Sequence, residues 1–356
     1  MVIDNFNSCY KKKNVLVTGH NGFKGSWLTL WLSNLNANVS GLSLKSPEIS
    51  HFSLLKLKNI NSEIIDIRNK KKLSEFVLSS NPEIIFHLAA QPLVRESYLD
   101  PVKTIETNIN GTLNLLEVAK SCKNLKAIII ITSDKCYENN NSGKPFRESD
   151  RIGGLDPYSF SKASAELLVT SYRKSFFNYT NSPYITSARA GNVIGGGDWS
   201  KDRLIPDIIN SVLNNKNLKI RYPKATRPWQ HVLDCTFGYL KLGQKAMERV
   251  PISNSAFNFG PGKNNNISVI DVLNKSKKYF NEIKFSIASE KNFYEANLLF
   301  LNNSKSKKYL AWKPLLDIEE TLQLTFNWYK SFYDKQNIIS QKQINWYTKL
   351  VKQHED

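Results

Sequence analysis

Cysteine is scarce in this chain of 356 residues. Cys9, Cys122, Cys136 and Cys235 are scattered, none belongs to a Cys-x-x-Cys pair, and the histidines do not cluster. That excludes a disulfide framework and a zinc site of the usual spacing, so no metal is expected. Reduced thiols fit the cytoplasm. No apolar run approaches the length that crosses a bilayer, which leaves no membrane partner to expect. The opening residues are polar and run into Tyr10-Lys11-Lys12-Lys13 with no apolar segment behind them, unlike a secretory signal. A cytoplasmic location is the expectation.

Acidic side chains are also few. Asp and Glu total 31 against 49 Lys and Arg, for a formal net charge of +18. Such an excess invites a nucleic-acid reading. The lysines are spread along the whole chain, however, and no motif of a nucleic-acid module accompanies them. A solvated basic surface is expected, with part of its charge suited to an anionic small molecule, and no nucleic-acid partner.

What is present is alternation. Strand-like runs recur at 14–18, 38–44, 63–67, 83–88 and 127–132, and helical patterns lie between them at 25–35, 70–79 and 104–121. Alternation of this kind predicts a parallel sheet with helices on both faces. The run Ile128-Ile129-Ile130-Ile131 has the composition of a strand buried on both sides. Beyond Ser187 the pattern turns irregular, with glycine and proline clusters at 191–197, 223–228 and 260–262. Loops of that composition on a rigid sheet commonly build substrate sites. Two amphipathic helices, 318–333 and 338–353, end the pattern. The expected fold is α/β, a doubly wound, Rossmann-like parallel sheet with a smaller, discontinuous α/β lobe. Residues 1–187 form the dinucleotide-binding lobe in this reading. Residues 188–356 are mainly substrate-binding and partly return to the first lobe.

Gly19-His20-Asn21-Gly22-Phe23-Lys24-Gly25 follows the first strand and opens the first helix. The first glycine permits a tight turn, the second lets backbone approach a pyrophosphate, and the third lets the helix pack on the sheet. The helix N-terminus offers N–H groups and a positive dipole end to phosphates. Asp66-Ile67 meets an adenine edge or forms a strand-end turn or cap, and the small residues Ala89 and Ala90 follow the fourth strand, which ends at Leu88. No acid ends the second strand at 41–45, and Lys45 tolerates a 2′-phosphate, so these residues leave NAD and NADP both open.

Tyr158 and Lys162 stand one helical turn apart and face the same way. A neighbouring ammonium lowers the pKa of a phenol, which makes it a usable base. Ser133 ends the isoleucine strand and can share the proton of a substrate hydroxyl. Asp134 and Lys135 follow at the carboxyl end of that strand, where doubly wound folds bind ligands. Simple alcohol oxidation needs no further acid and base. Elimination does: a protonated carboxyl expels a hydroxyl as water while a base removes a proton beside a carbonyl.

These residues resemble the extended short-chain dehydrogenase/reductase family and, within it, the nucleotide-sugar 4,6-dehydratases of the CDP-glucose branch. The likeness runs through Gly19–Leu28, His87–Arg95, Ser133–Asn139, Arg189–Trp199 and Arg227–Val232, with the Phe-Lys-Gly-Ser-Trp loop and the Asp-Lys pair as its specific parts. It implies NAD as cofactor, held by the glycine loop, Asp66, Ile67, Leu88, Ala89, Ala90, Tyr158 and Lys162. It implies CDP-glucose or a related nucleotide sugar as substrate. Tyr158 takes the 4-hydroxyl proton, Asp134 protonates the leaving 6-oxygen, and Lys135 is the C5 base where related dehydratases carry a glutamate. Asn192 and Arg227 bind the diphosphate region, Leu204 and Tyr222 border the pyrimidine, and Arg95 reaches sugar or phosphate. A homodimer through helices of the first lobe is implied as well. A dehydratase of another nucleotide sugar, a 4-epimerase and a non-catalytic nucleotide-binding regulator are the competing readings.

Overall fold

A computed structural model describes residues 5–139, 143–280, 283–288 and 299–355. Its centre is a seven-stranded, all-parallel sheet. The strands are β1 (Asn14–Thr18), β2 (Asn38–Ser43), β3 (Asn61–Ile64), β4 (Ile84–His87), β5 (Ala127–Ile131), β6 (Tyr184–Ala190) and, after the short strands β7 (Val193–Ile194), β8 (Leu218–Ile220), β9 (Thr226–Pro228) and β10 (Gln230–His231), β11 (Ala256–Phe259). The spatial order is β11-β6-β5-β4-β1-β2-β3. Direction of chain progress reverses between β1 and β4, which opens a crevice at their carboxyl ends.

Helices on both faces bury the strands. They are α1 (Phe23–Asn34), α2 (His51–Leu55), α3 (Lys70–Ser80), α4 (Val94–Leu99), α5 (Pro101–Ile105), α6 (Gly111–Ala119), α7 (Pro157–Ser175), α8 (Leu204–Leu213) and α9 (Val232–Met247). Strand side chains alternate between two cores. Ile129 and Ile131 join Trp27, Trp31 and α9 on one side, while Ile128 and Ile130 join Leu115, Leu116 and Val169 on the other. That division is why β5 is apolar at every position. The second half adds α10 (Val269–Ser276), α11 (Ser304–Leu310), α12 (Ile318–Lys335) and α13 (Ser340–Glu355). It also adds β12 (Asn266–Ser268), antiparallel to β9, and β13 (Phe285–Ile287), parallel to β8. The 187/188 position falls inside β6, and β11 brings the later chain back to the same sheet.

Three boundaries differ from the sequence pattern. The third strand covers 61–64 rather than 63–67: Ile65 N–H gives the last rung to the Ser43 carbonyl, and the Asp66 carboxylate then accepts from Arg68 N–H and turns the chain. The first helix starts two residues earlier, at Phe23. The single helix expected over 104–121 is α5 and α6 joined by a π-helical turn, Glu106–Asn110. Tyr10, ahead of β1, is buried under α9 and donates its hydroxyl to the Leu240 carbonyl at 2.5 Å.

Candidate active site

Four strand ends converge on one cleft of about 340 Å³, within the range of ligand pockets. The first turn of α1, reached from β1, contributes Phe23 and Lys24; the segments after β4, β5 and β6 contribute Leu88 and Ala90, then Ser133, Asp134 and Lys135, then Gly191 and Asn192. The helix α7 adds Tyr158 and Lys162. Asp156 caps α7 by accepting from Ser159 N–H, and Pro157 supplies a fixed first turn.

The chemistry-bearing groups are nearly dry. Asp134 is 1% exposed, Lys162 6% and Tyr158 7%. Ser133 caps the 3₁₀ turn Asp134–Cys136 by accepting from Lys135 N–H, and it donates to Asp134 Oδ1 at 3.0 Å. Asp134 Oδ2 is buried with no hydrogen-bond partner, and Lys135 Nζ lies 4.0 Å from Oδ1. A Cβ on Gly191 would come within 3.1 Å of Oδ2. Contrary to the lowering expected from the neighbouring lysine, burial pushes the Tyr158 phenol up to about 12, opposed by its hydrogen bond with Ser133. Burial, reinforced by the nearby Lys24 ammonium, pulls Lys162 down to about 7. Lys162 Nζ donates to the Ile131 carbonyl at 3.4 Å. Lys24 is likewise lowered by burial, and it donates to Tyr239 Oη at 3.3 Å.

The glycine loop is built as a cradle. Gly19 has φ +72°, and a Cβ there would meet Ala89 N at 2.8 Å. A Cβ on Gly25 would sit 2.0 Å from the Gly19 carbonyl oxygen. Gly22 is open outward, and no side chain caps the first turn of α1. Other expected contacts are already engaged. The His20 ring bonds Ser43 and Ser62 hydroxyls at 3.1 and 2.7 Å and points into the sheet end, and Asn21 donates to the Leu44 carbonyl. The Ile67 side chain packs toward Gly111. Asp66 is gripped by Arg68 and lines a separate shallow depression with Asn69, Glu106 and Asn110. His87 is structural: it lies between Thr18 and Thr112 hydroxyls, and burial holds it down at about 3. Arg95, Asn192, Leu204, Tyr222 and Arg227 all line the cleft.

Sequence reasoning missed the supports. Asn108, in the π turn, exchanges two hydrogen bonds with the Gln91 backbone and donates to Ser161, tying the loop after β4 to α7. Such turns recur at functional sites. Beneath the Ser133 turn, Glu166 accepts from Thr132, Ser187 and Arg189, and Arg189 donates on to Tyr137 Oη. Burial alone would raise Glu166, yet Arg189 and the two hydroxyls hold it below the usual range. The signal was an arginine inside the buried strand β6. Arg203, Asp207 and Arg221 also line the cleft.

The model of the GDP-mannose 4,6 dehydratase family matches residues 16–325. A CDP-glucose 4,6-dehydratase of Salmonella typhimurium is 42% identical over 95% of this chain and 96% of its own. Among solved structures, an epimerase from Methanothermobacter thermautotrophicus superposes with TM-score 0.81 at 26% identity, covering 92% of this chain and 95% of that one. A UDP-glucuronic acid 4-epimerase from Bacillus cereus, in complex with UDP-glucuronic acid and NAD, gives TM-score 0.77 at 25% identity over 90% and 99%. On sheet order, cleft and sequence together, the chain belongs to the GDP-mannose 4,6 dehydratase family.

Proposed function

We propose that the protein is an NAD-dependent nucleotide-sugar 4,6-dehydratase that converts CDP-D-glucose to CDP-4-keto-6-deoxy-D-glucose and water. One observation carries the reading. A buried carboxyl with an unpartnered oxygen, Asp134, shares the cleft with the Tyr158–Lys162 pair, and simple oxidation or 4-epimerisation leaves that acid without a task. The 42% identity to a CDP-glucose dehydratase over nearly the whole chain supports the substrate.

The residues fit a dinucleotide. Gly19 and Gly25 let the loop close tightly on the Ala89 backbone and on itself, Gly22 puts no side chain in front of the helix start, and the uncapped first turn of α1 suits the phosphates. Backbone of His20, Asn21, Phe23 and Ile67, the Lys24 and Asp66 side chains, and the small residues Leu88, Ala89 and Ala90 are assigned to it. Tyr158 and Lys162 complete the contact. When bound, NAD accepts hydride from C4 of the sugar and later returns it to C6.

The chain's own groups move the protons. Tyr158 Oη takes the proton of the 4-hydroxyl, assisted by Ser133. The resulting carbonyl acidifies C5, and Lys135 removes that proton. Asp134 protonates the 6-oxygen, which leaves as water. Lys135 then returns a proton to C5, and the one taken by Tyr158 restores Asp134, so the protons balance. Asn192 and Arg227 are assigned to the diphosphate, Leu204 and Tyr222 to the pyrimidine, and Arg95 to a phosphate. Arginine suits this because its planar donors engage two oxygens.

The protein is proposed to act in the cytoplasm; among the described residues no helix is long and apolar enough to cross a membrane. A homodimer is proposed through α5 and α7. Val102, Phe160 and Leu167 on these helices are exposed apolar residues, and light scattering of the purified protein checks it. The central test incubates the protein with CDP-glucose, with and without added NAD, and reads the product by mass and NMR. Loss of one water with a new C6 methyl is expected. A C4 epimer that keeps its 6-hydroxyl, or conversion only of UDP- or GDP-sugars, would overturn the assignment.

A further inference from the structure

A charged clasp closes the mouth of the same cleft, and no step above uses it. Arg95 Nη1 donates to Asp202 Oδ1 at 2.5 Å, and Arg221 Nη1 reaches the same oxygen at 3.5 Å. Arg95 stands on α4, after β4 of the first half. Asp202 lies in the turn before α8 and Arg221 directly after β8. The clasp therefore spans the cleft, and all three residues line it together with Asp134, Tyr158 and Arg227.

We propose that Asp202 is a placeholder anion: its carboxylate holds the seat between Arg95 and Arg221 that the diphosphate of a bound nucleotide takes over. The inference rests on the nucleotide-sugar reading above and adds Arg221 and Asp202 to the binding site. Arg95 and Arg221 converge on one carboxylate oxygen of Asp202, and a diphosphate brings more negative charge to the two guanidinium groups than that carboxylate does. Both arginines present Nη1 to the same carboxylate oxygen of Asp202, whereas a phosphate offers an arginine fork two oxygens at once. Exchange is cheap. The side chains of Asp202, Arg95 and Arg221 are each a third or more exposed, and ion pairs of that kind add little stability. Asp202 also has φ +59°, a left-handed conformation that aspartate tolerates better than most residues but does not favour.

Calorimetric titration of CDP and CMP into wild type, Asp202→Asn, Arg95→Met, Arg221→Met and the Arg95→Met/Asp202→Asn double variant tests this. Thermal melts verify that each variant is folded. A competing carboxylate predicts that Asp202→Asn tightens CDP by about fivefold to tenfold and CMP by less, because CMP brings one phosphate. Each arginine loss weakens CDP about tenfold, and the double variant loses the gain from Asp202→Asn. A folded Asp202→Asn protein that binds CDP equally or more weakly makes Asp202 a loop strut and ends the proposal. Wild type that ignores CDP but binds UDP refutes the cytidine assignment alone; the clasp is then scored on UDP with the same signs.

Discussion

The two ends of the cleft use charge in opposite ways. At the catalytic end, Asp134, Tyr158 and Lys162 are almost sealed, and burial itself shifts the protonation of Tyr158 and Lys162. At the mouth, Arg95, Asp202 and Arg221 are substantially exposed and their charges are paired. A group that must gain or lose a proton benefits from low dielectric, because small contacts then move its pKa far. A group that must trade one anion for another benefits from water, which keeps the trade nearly neutral in free energy. The same contrast separates residues whose removal stops chemistry from residues whose removal weakens binding.

Mutation at the sealed end should give the largest effects. Tyr158→Phe removes the proton acceptor, and turnover should fall by about 10³-fold or more, with NAD binding by fluorescence titration largely kept. Near-normal turnover would erase the contrast. Asp134→Asn should slow water loss more than C4 oxidation, with kcat down about 10²- to 10³-fold and absorbance of reduced cofactor building up during a single turnover. No build-up, with oxidation itself slowed, would reassign Asp134.

Beneath that end, Glu166→Gln leaves the Arg189 cation buried without its partner. A loss of about 3 kcal/mol is expected from chemical denaturation, and an unchanged midpoint would show that the network is not a support. Lys162 gives a pH signature. Its folded pKa of about 7 lies below the ordinary lysine value, so between these values the unfolded chain binds more protons. The stability of the ligand-free protein should then rise with pH through that window. Lys162→Met should flatten the rise and should stabilise the protein most below pH 7, as melts across pH will show. At the open end the effect shrinks: Arg95→Met should raise KM about tenfold with kcat little changed. A collapse of kcat would move Arg95 to the sealed group.

Much of the sheet was legible because its signals are local and repeated. Four isoleucines in a row and a Gly-x-x-Gly-x-x-Gly turn between strand and helix need no partner to be read. The supports depend on single pairings between distant positions. Nothing near Glu166 announces Arg189, and nothing in 104–121 announces the extra residue that turns Asn108 toward Gln91 and Ser161. His20 shows the reverse case. Its place in the glycine loop pointed outward to a cofactor, but Ser43 and Ser62 draw the ring inward. Asp66 has its ion-pair partner two residues away in Arg68, a pairing that the sequence did display.

The Tyr10–Leu240 hydrogen bond spans 230 positions, and it sets an order of events during synthesis. Tyr10 leaves the ribosome just ahead of β1, an inner strand of the sheet, yet the helix that covers Tyr10 and packs on β5 and β6 arrives after most of the chain. Until then Tyr10 and the Ile129 and Ile131 face of β5 lack their α9 cover. A ribosome paused before codon 232 should therefore present a nascent chain that holdase chaperones bind, and one paused well beyond codon 247 should present a chain they release.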